Sequence, residues 1–272
     1  MSEVHDIQPS ATIARHLLGH ELHQLRAERS LTLQTVASAL YLSASKLSRI
    51  ETGRHRAAPA DINRLIDFYD APRAVRERVQ QWAVRAMGRS GYHSFADVTD
   101  AAMRDYLDME PSGLRAVYAP GVIPAVLRTR RYAGELLATA GEAERERRLW
   151  LLALRQQRFA QLARRPVRVL LAESALDSRI GGPEVMREQA ALLREAEGLG
   201  FEIAVLPSAV AARVAPGGAF ALTVLGDAPL TMAAAEEPGG ILRLVPDRGG
   251  RATGRFESLW HAATAGSAGV AA

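Results

Sequence analysis

Cysteine is absent from all 272 residues. That excludes disulfide frameworks, thiol nucleophiles and Cys-ligated zinc, and it is compatible with a reducing compartment. Lysine is nearly absent: Lys46 is the single example, and every other strongly basic side chain is an arginine. The opening residues, MSEVHDIQPS, carry acids and no apolar run, which argues against a secretory signal. No stretch approaches the ~18–20 uninterrupted apolar residues of a membrane span, so a cytoplasmic location is expected. Also missing are a G-x-S-x-G elbow, a G-x-x-x-x-G-K-[ST] loop and an H-E-x-x-H pair. The chain therefore reads as a protein without catalytic residues, metal or cofactor. His16, His20 and His23 share helical spacing, the best metal-like set available. No acid or cysteine completes it, and the same helix must bury Leu18, Leu22 and Leu25, so surface histidines are expected.

What is present fits a globular protein: 48% apolar and 24% charged residues, long enough for two domains. The net charge of +4 and pI near 9.8 are unevenly spread. Between Thr12 and Ala60 lie Arg15, Arg26, Arg29, Lys46, Arg49, Arg54 and Arg56, against Glu21, Glu28 and Glu51. Seven bases less three acids leave +4, the net charge of the whole chain. A polyanion partner for this segment follows.

Helical periodicity begins at Thr12 with Ile13, Leu17, Leu18, Leu22 and Leu25. Thr32 is expected to cap a second helix carrying Val36, Ala37 and Leu40, and Ser43 a third that stops at Gly53. Asp61 is expected to cap a fourth helix, and Asp70 a fifth with Pro72 in its first turn and Val75, Val79, Trp82 and Met87 on its apolar face. Beyond a linker at residues 89–100 the pattern changes. "VRVLLAE", "FEIAVLP", "AFALTVLG", "LTMAAAE" and "ILRLVP" read as short strands between helices, and "LRAVYAPGVIP" as an extended stretch. The expected architecture is an all-α N-terminal five-helix domain at residues 12–88, then an α+β domain at 101–264. Residues 1–11 and 265–272 read as flexible ends.

Two short helices joined by a tight turn can place the second in the major groove. At about 100° per residue, Leu47, Ile50 and Glu51 share one side of the segment 43–52. Ser45, Ser48, Arg49 and Thr52 share the other, with Lys46 on the shoulder. Short polar groups let such a helix approach base edges, and an arginine can bond guanine O6 and N7 together. Glu51 reads as a structural hydrogen-bonding partner. "LTLQTVASALYLSASKLSRIETG" resembles the lambda-repressor/Cro-like helix-turn-helix, also called the xenobiotic-response-element type. The resemblance implies double-stranded DNA as partner, a homodimer on a pseudo-palindromic operator, and base contacts from Ala44, Ser45, Lys46 and Arg49. Gln34, Ser48, Thr52, Arg54, Arg56 and Arg15 become the candidates for phosphates. Tyr41 replaces the glycine usual in the turn, and Leu33 stands where many members have a phosphate-contacting glutamine.

Residues from about 100 onward resemble the antitoxin-like domain of unknown function found behind this motif in regulators of GC-rich bacteria. The matching pieces are "IPAVLRTRRYA", Arg155-Gln156, "AESAL", "GGPEVMREQ", "VLP" and Phe220. Members commonly have glycine at 125 and glutamine at 128, where this chain has Ala125 and Arg128. Only Glu236 matches their aromatic-x-acid strand. The resemblance implies a small partner protein, with Arg128, Tyr132, Arg155, Glu173 and Glu236 as candidate partner or ligand residues. From its own context, Glu173 reads as a structural acid near Arg155, Arg158 or Arg179. Three functions follow for comparison: a sequence-specific transcriptional regulator, an antitoxin-like protein that holds a small partner and autoregulates, and a regulator sensing a small-molecule effector.

Overall fold

The computed structural model describes residues 10–162, 166–214, 218–225, 230–237 and 240–267. They divide into two compact units, Met1–His93 with Leu225–Leu230 and Ser94–Val224 with Thr231–Ala272. Most of the expected flexible N-terminus, residues 1–9, and the last residues of the tail, 268–272, lie outside the described residues.

The first unit is all-α: α1 Ala11–Glu28, α2 Leu33–Ala39, α3 Ala44–Glu51, α4 Pro59–Phe68 and α5 Arg73–Arg85. Three helices start where a short hydroxyl satisfies an orphan amide. Ser10 accepts from Ile13 N at 3.2 Å, Thr32 from Thr35 N at 3.0 Å and Ser43 from Lys46 N at 3.1 Å. The apolar stripes of all five helices meet in one core that includes Leu22, Val36, Leu47, Ile50, Leu65 and Val79.

Two expected caps are corrected. Asp61 does not cap α4, which begins at Pro59 because proline presets the first helical φ; Asp61 sits in its first turn. Asp70 takes φ +44 and closes α4 instead of opening α5, with Ala71 N donating to Ile66 O at 3.0 Å and Pro72 at the N-cap of α5. Met87 lies past the end of α5 and is exposed, so it leaves the expected apolar stripe.

A 3-10 turn, His93–Phe95, leads into the second unit. Its elements then run α6 Ala101–Gly113, β1 Leu114–Ala119, α7 Arg130–Leu136, α8 Glu142–Leu162, β2 Val167–Ala172, α9 Glu173–Asp177 and α10 Gly182–Gly198. β3 Phe201–Leu206, α11 Ser208–Val214, β4 Ala219–Leu225, β5 Leu230–Glu237, β6 Gly240–Pro246 and α12 Arg251–Ser267 complete it. The strands form one six-stranded sheet in the order β3-β2-β1-β4-β5-β6. β1, β2 and β3 are parallel, with Val117 opposite Val169 and Val169 opposite Ile203. β4 runs antiparallel to β1, and β6 to β5. This is the expected all-α domain followed by α+β. Strands buried on both faces read as continuous apolar runs, which is why "VRVLLA" was legible. α12 covers Tyr118, Leu170, Leu206, Phe220 and Leu222 with Phe256 and Leu259.

The expected linker is only partly one. Phe95 is buried, the Arg147 guanidinium lies 4.2 Å from its ring centroid, and Asp97 pairs with Arg147 at 3.0 Å. An aromatic anchor and an ion pair thus tie residues 94–100 into the second unit. Among the described residues no helix is long and apolar enough to cross a membrane.

Candidate nucleic-acid interface

α3 is anchored from behind by α1. Leu47 and Ile50 are fully buried, and Glu51 is 3% exposed. Arg26 donates through Nε to Glu51 Oε1 at 2.6 Å and through Nη2 to Oε2 at 2.8 Å, while His23 Nδ1 lies 3.0 Å from Oε2. A paired, hydrogen-bonded acid is the form in which a carboxylate is tolerated in a core. That pairing holds the Arg26 guanidinium above the ordinary arginine range, and burial, reinforced by the Glu51 charge, pushes the nearby Tyr69 hydroxyl up.

The two helices cross closely at Gly19. A Cβ there would stand 2.4 Å from the carbonyl oxygen of Ile50 and 2.9 Å from that of Glu51. Backbone cannot step aside as a flexible side chain can, so only glycine permits this crossing. At the far end of α3, Gly53 takes φ +70 with its Cα against the His16 ring, and its carbonyl accepts from Arg15 Nε at 2.5 Å.

Exposure then follows from the rotation of α3. Ser45 and Arg49 are exposed and Ala44 and Ser48 half-buried. Among the described residues none engages the Arg49 guanidinium. Thr52 caps α3 by donating from its hydroxyl to Ser48 O at 2.8 Å. Gln34 is exposed on α2 and donates to Ser38 Oγ at 3.3 Å. Arg54 and Arg56 stand exposed on the loop after Gly53.

Three expectations change. Arg15 is buried against Gly53 O, so it is a brace for the end of α3 and not a phosphate contact. Lys46 is engaged by an acid and not left open towards bases: its Nζ lies 2.6 Å from Asp61 Oδ2. His16 is buried and His23 is engaged by Glu51, so neither is a surface histidine; α1 packs on more sides than its leucine stripe reveals. No metal-holding group is found among the described residues. Sequence reading missed Gly19, Asp61 as a partner of α3, and Arg64, whose Nη2 donates to Leu40 O. A glycine inside a strong helical pattern was the available signal for the first.

The turn between α2 and α3 is built as expected but with an unusual residue. Tyr41 has φ +53 and is 93% exposed, and Leu42 N closes α2 by donating to Ala37 O at 2.9 Å.

Residues 17–79 match the family model of a helix-turn-helix domain, and residues 103–270 match that of the domain of unknown function DUF5753. The second match alone spans more than half of the chain. The chain belongs to the DUF5753 family. No curated protein and no solved structure matches it. A helix-turn-helix domain ahead of the DUF5753 domain makes this a DNA-binding regulator.

Within the DUF5753 domain, most of the sequence candidates serve the interior. Tyr132 is fully buried and its hydroxyl accepts from Ile123 N at 3.2 Å, while Arg128 Nε donates to Ile123 O at 2.6 Å. Gln156 donates to the carbonyls of Ala125 and Arg128, and Gln189 exchanges bonds with Thr129 N and Leu127 O. These contacts clamp the segment 123–129, whose backbone forms only the short 3-10 turn Ala125–Leu127 and has no sheet to pair with. Arg155 is buried and forks onto Glu110, which also accepts from Tyr106 Oη at 2.9 Å. Arg128, Tyr132 and Arg155 are thus corrected from partner-binding to structural roles. Glu173 pairs with none of its three expected arginines; it accepts from Ser208 N at 3.0 Å. Glu236 lies on β5, and its side chain is outside the described ones.

Proposed function

We propose that this DUF5753 protein is a cytoplasmic, sequence-specific transcriptional regulator of the lambda-repressor/Cro-like type and not an enzyme. In this reading α3 enters the major groove, Ser45 and Ala44 sit against base edges, and Arg49 bonds guanine O6 and N7. Arg54 and Arg56, with Gln34, hold phosphates and set the register. The protein acts as a homodimer on a pseudo-palindromic operator with half-sites about 34–36 Å apart. The observation that carries the reading is the split of α3, with Ser45 and Arg49 exposed while Leu47, Ile50 and Glu51 anchor the opposite side.

The DUF5753 domain would supply regulation or dimerisation. A small partner protein or effector would act there, on surfaces other than Arg128, Tyr132 and Arg155. Selection from random duplexes with the full-length protein tests the central claim. An enriched inverted repeat is expected, and a pool that stays random defeats it.

A further inference from the structure

Lys46 and Arg64 converge on one acid. Lys46 Nζ stands 2.6 Å from Asp61 Oδ2, and Arg64 Nη1 3.7 Å from Asp61 Oδ1. Arg64 also donates to Leu40 O, at the end of α2, so the trio links α4 to both α2 and α3. Asp61 follows directly on the basic segment that ends at Ala60, and its side chain is 13% exposed against 33% for Lys46 and 46% for Arg64. Four other acids of this unit are occupied elsewhere: Glu21 with Arg78, Asp67 with Arg76, Glu77 with Arg73 and Glu51 with Arg26. Among the described residues Asp61 is the acid that meets a side chain on the shoulder of α3.

We propose that Asp61 is a specificity-determining residue: its carboxylate takes the place of a DNA phosphate on Lys46 and Arg64 and so suppresses binding to sequences other than the operator. The inference rests on α3 as the DNA-reading helix. Non-specific affinity is set by how many cations meet phosphates, and each such contact adds about 0.9 to the salt slope. Two cations sharing one carboxylate leave the trio at +1, a weaker draw on any duplex. A half-exposed ion pair is weak enough for exchange. The residue type fits this role. A lysine, the only one in the chain, ends in a compact ammonium on a flexible stem and releases a carboxylate more readily than an arginine fork. Base contacts from Arg49 do not pass through the trio, so an operator held by them keeps its affinity while sequences held by phosphates alone lose theirs.

Asp61→Asn removes the charge at nearly constant shape. For the full-length protein, affinity for a random-sequence duplex is expected to rise about three- to tenfold at low salt, with the slope of log K against log salt steeper by about 0.9 per released cation. The ratio of operator to random-sequence affinity should fall. The gain should shrink when Lys46→Gln is added to Asp61→Asn. Weaker binding to both duplexes at an unchanged salt slope, with a lower melting temperature, would make Asp61 a brace only and overturn the proposal. A gain that survives both Lys46→Gln and Arg64→Gln overturns it as well. Asp61→Ser repeats the measurement should the asparagine variant fail to fold. Wild-type protein that selects no site removes the DNA-reading function itself, whereas a selective wild type with an indifferent Asp61→Asn variant removes only the role of Asp61.

Discussion

Arg26 on α1 holds both carboxylate oxygens of Glu51 on α3, at 2.6 and 2.8 Å. The pair lies behind the helix proposed to read DNA, so it fixes the angle at which Ser45 and Arg49 are presented. Truncating one partner strands the other charge in a largely buried site, and such losses exceed the net worth of the pair. Glu51→Ala should cost about 3 kcal/mol of stability, read from urea unfolding, and Glu51→Gln less because the amide keeps an acceptor. A cost under about 1 kcal/mol would show that the pair is not a structural support.

Tyr41 offers the opposite case. Its φ of +53 is the left-handed region, where a side chain costs about 1–2 kcal/mol, and its 93% exposed ring recovers little of that through packing. Tyr41→Gly is expected to stabilise the first unit by about 1 kcal/mol, since the extra freedom of glycine in the unfolded chain offsets part of the relief. An unchanged or lower denaturation midpoint would mean the ring is held by something in solution.

Arg49 and Arg56 should separate specificity from affinity. Arg49→Ala is expected to cost about 1–3 kcal/mol at the operator and to relax preference at one base position. Arg56→Ala should weaken all duplexes alike and flatten the salt slope by about 1. Both are read by titrating selected and random duplexes over a range of salt. Identical selected sites for wild type and Arg49→Ala would remove Arg49 from the reading face.

Asp247 makes the second unit sensitive to acid. Burial pushes its carboxyl up, but the Thr253 hydroxyl and the amides of Ala252 and Thr253, at 2.6–2.9 Å, outweigh burial and hold it below the usual range. A depressed folded value stabilises above the unfolded value of about 3.9, and that contribution drains away as pH falls through the folded one. The melting temperature of wild type should therefore exceed that of Asp247→Asn at pH 7, and the gap should close as pH falls below the unfolded value of about 3.9. A gap that stays constant across this range would show that the α12 cap does not depend on ionisation.

Much of the first unit was readable because its signals are local. Thr32, Ser43 and Gly53 act within four residues of themselves, and the sidedness of α3 follows from helical geometry alone. The five strands read as apolar runs were also legible, but their order in the sheet was not: β3, β2 and β1 pair in reverse chain order before β4 joins on the other side. Periodicity marks which side of an element is apolar and leaves open which element it meets.

Long polar side chains were the least legible part. Arg15 looked like a phosphate contact and instead reaches across 38 residues to Gly53 O; Arg155 looked like a partner residue and closes on Glu110, 45 residues away. Composition and spacing by themselves settled that a basic five-helix unit precedes an α+β domain and that Ser45 and Arg49 lie opposite Leu47 and Ile50. Only the tertiary structure decided which cations are left for solvent. An arginine or lysine stem spans several ångströms, so its head group finds whichever carboxylate or carbonyl the packing brings within reach, and no rule of local sequence names that partner.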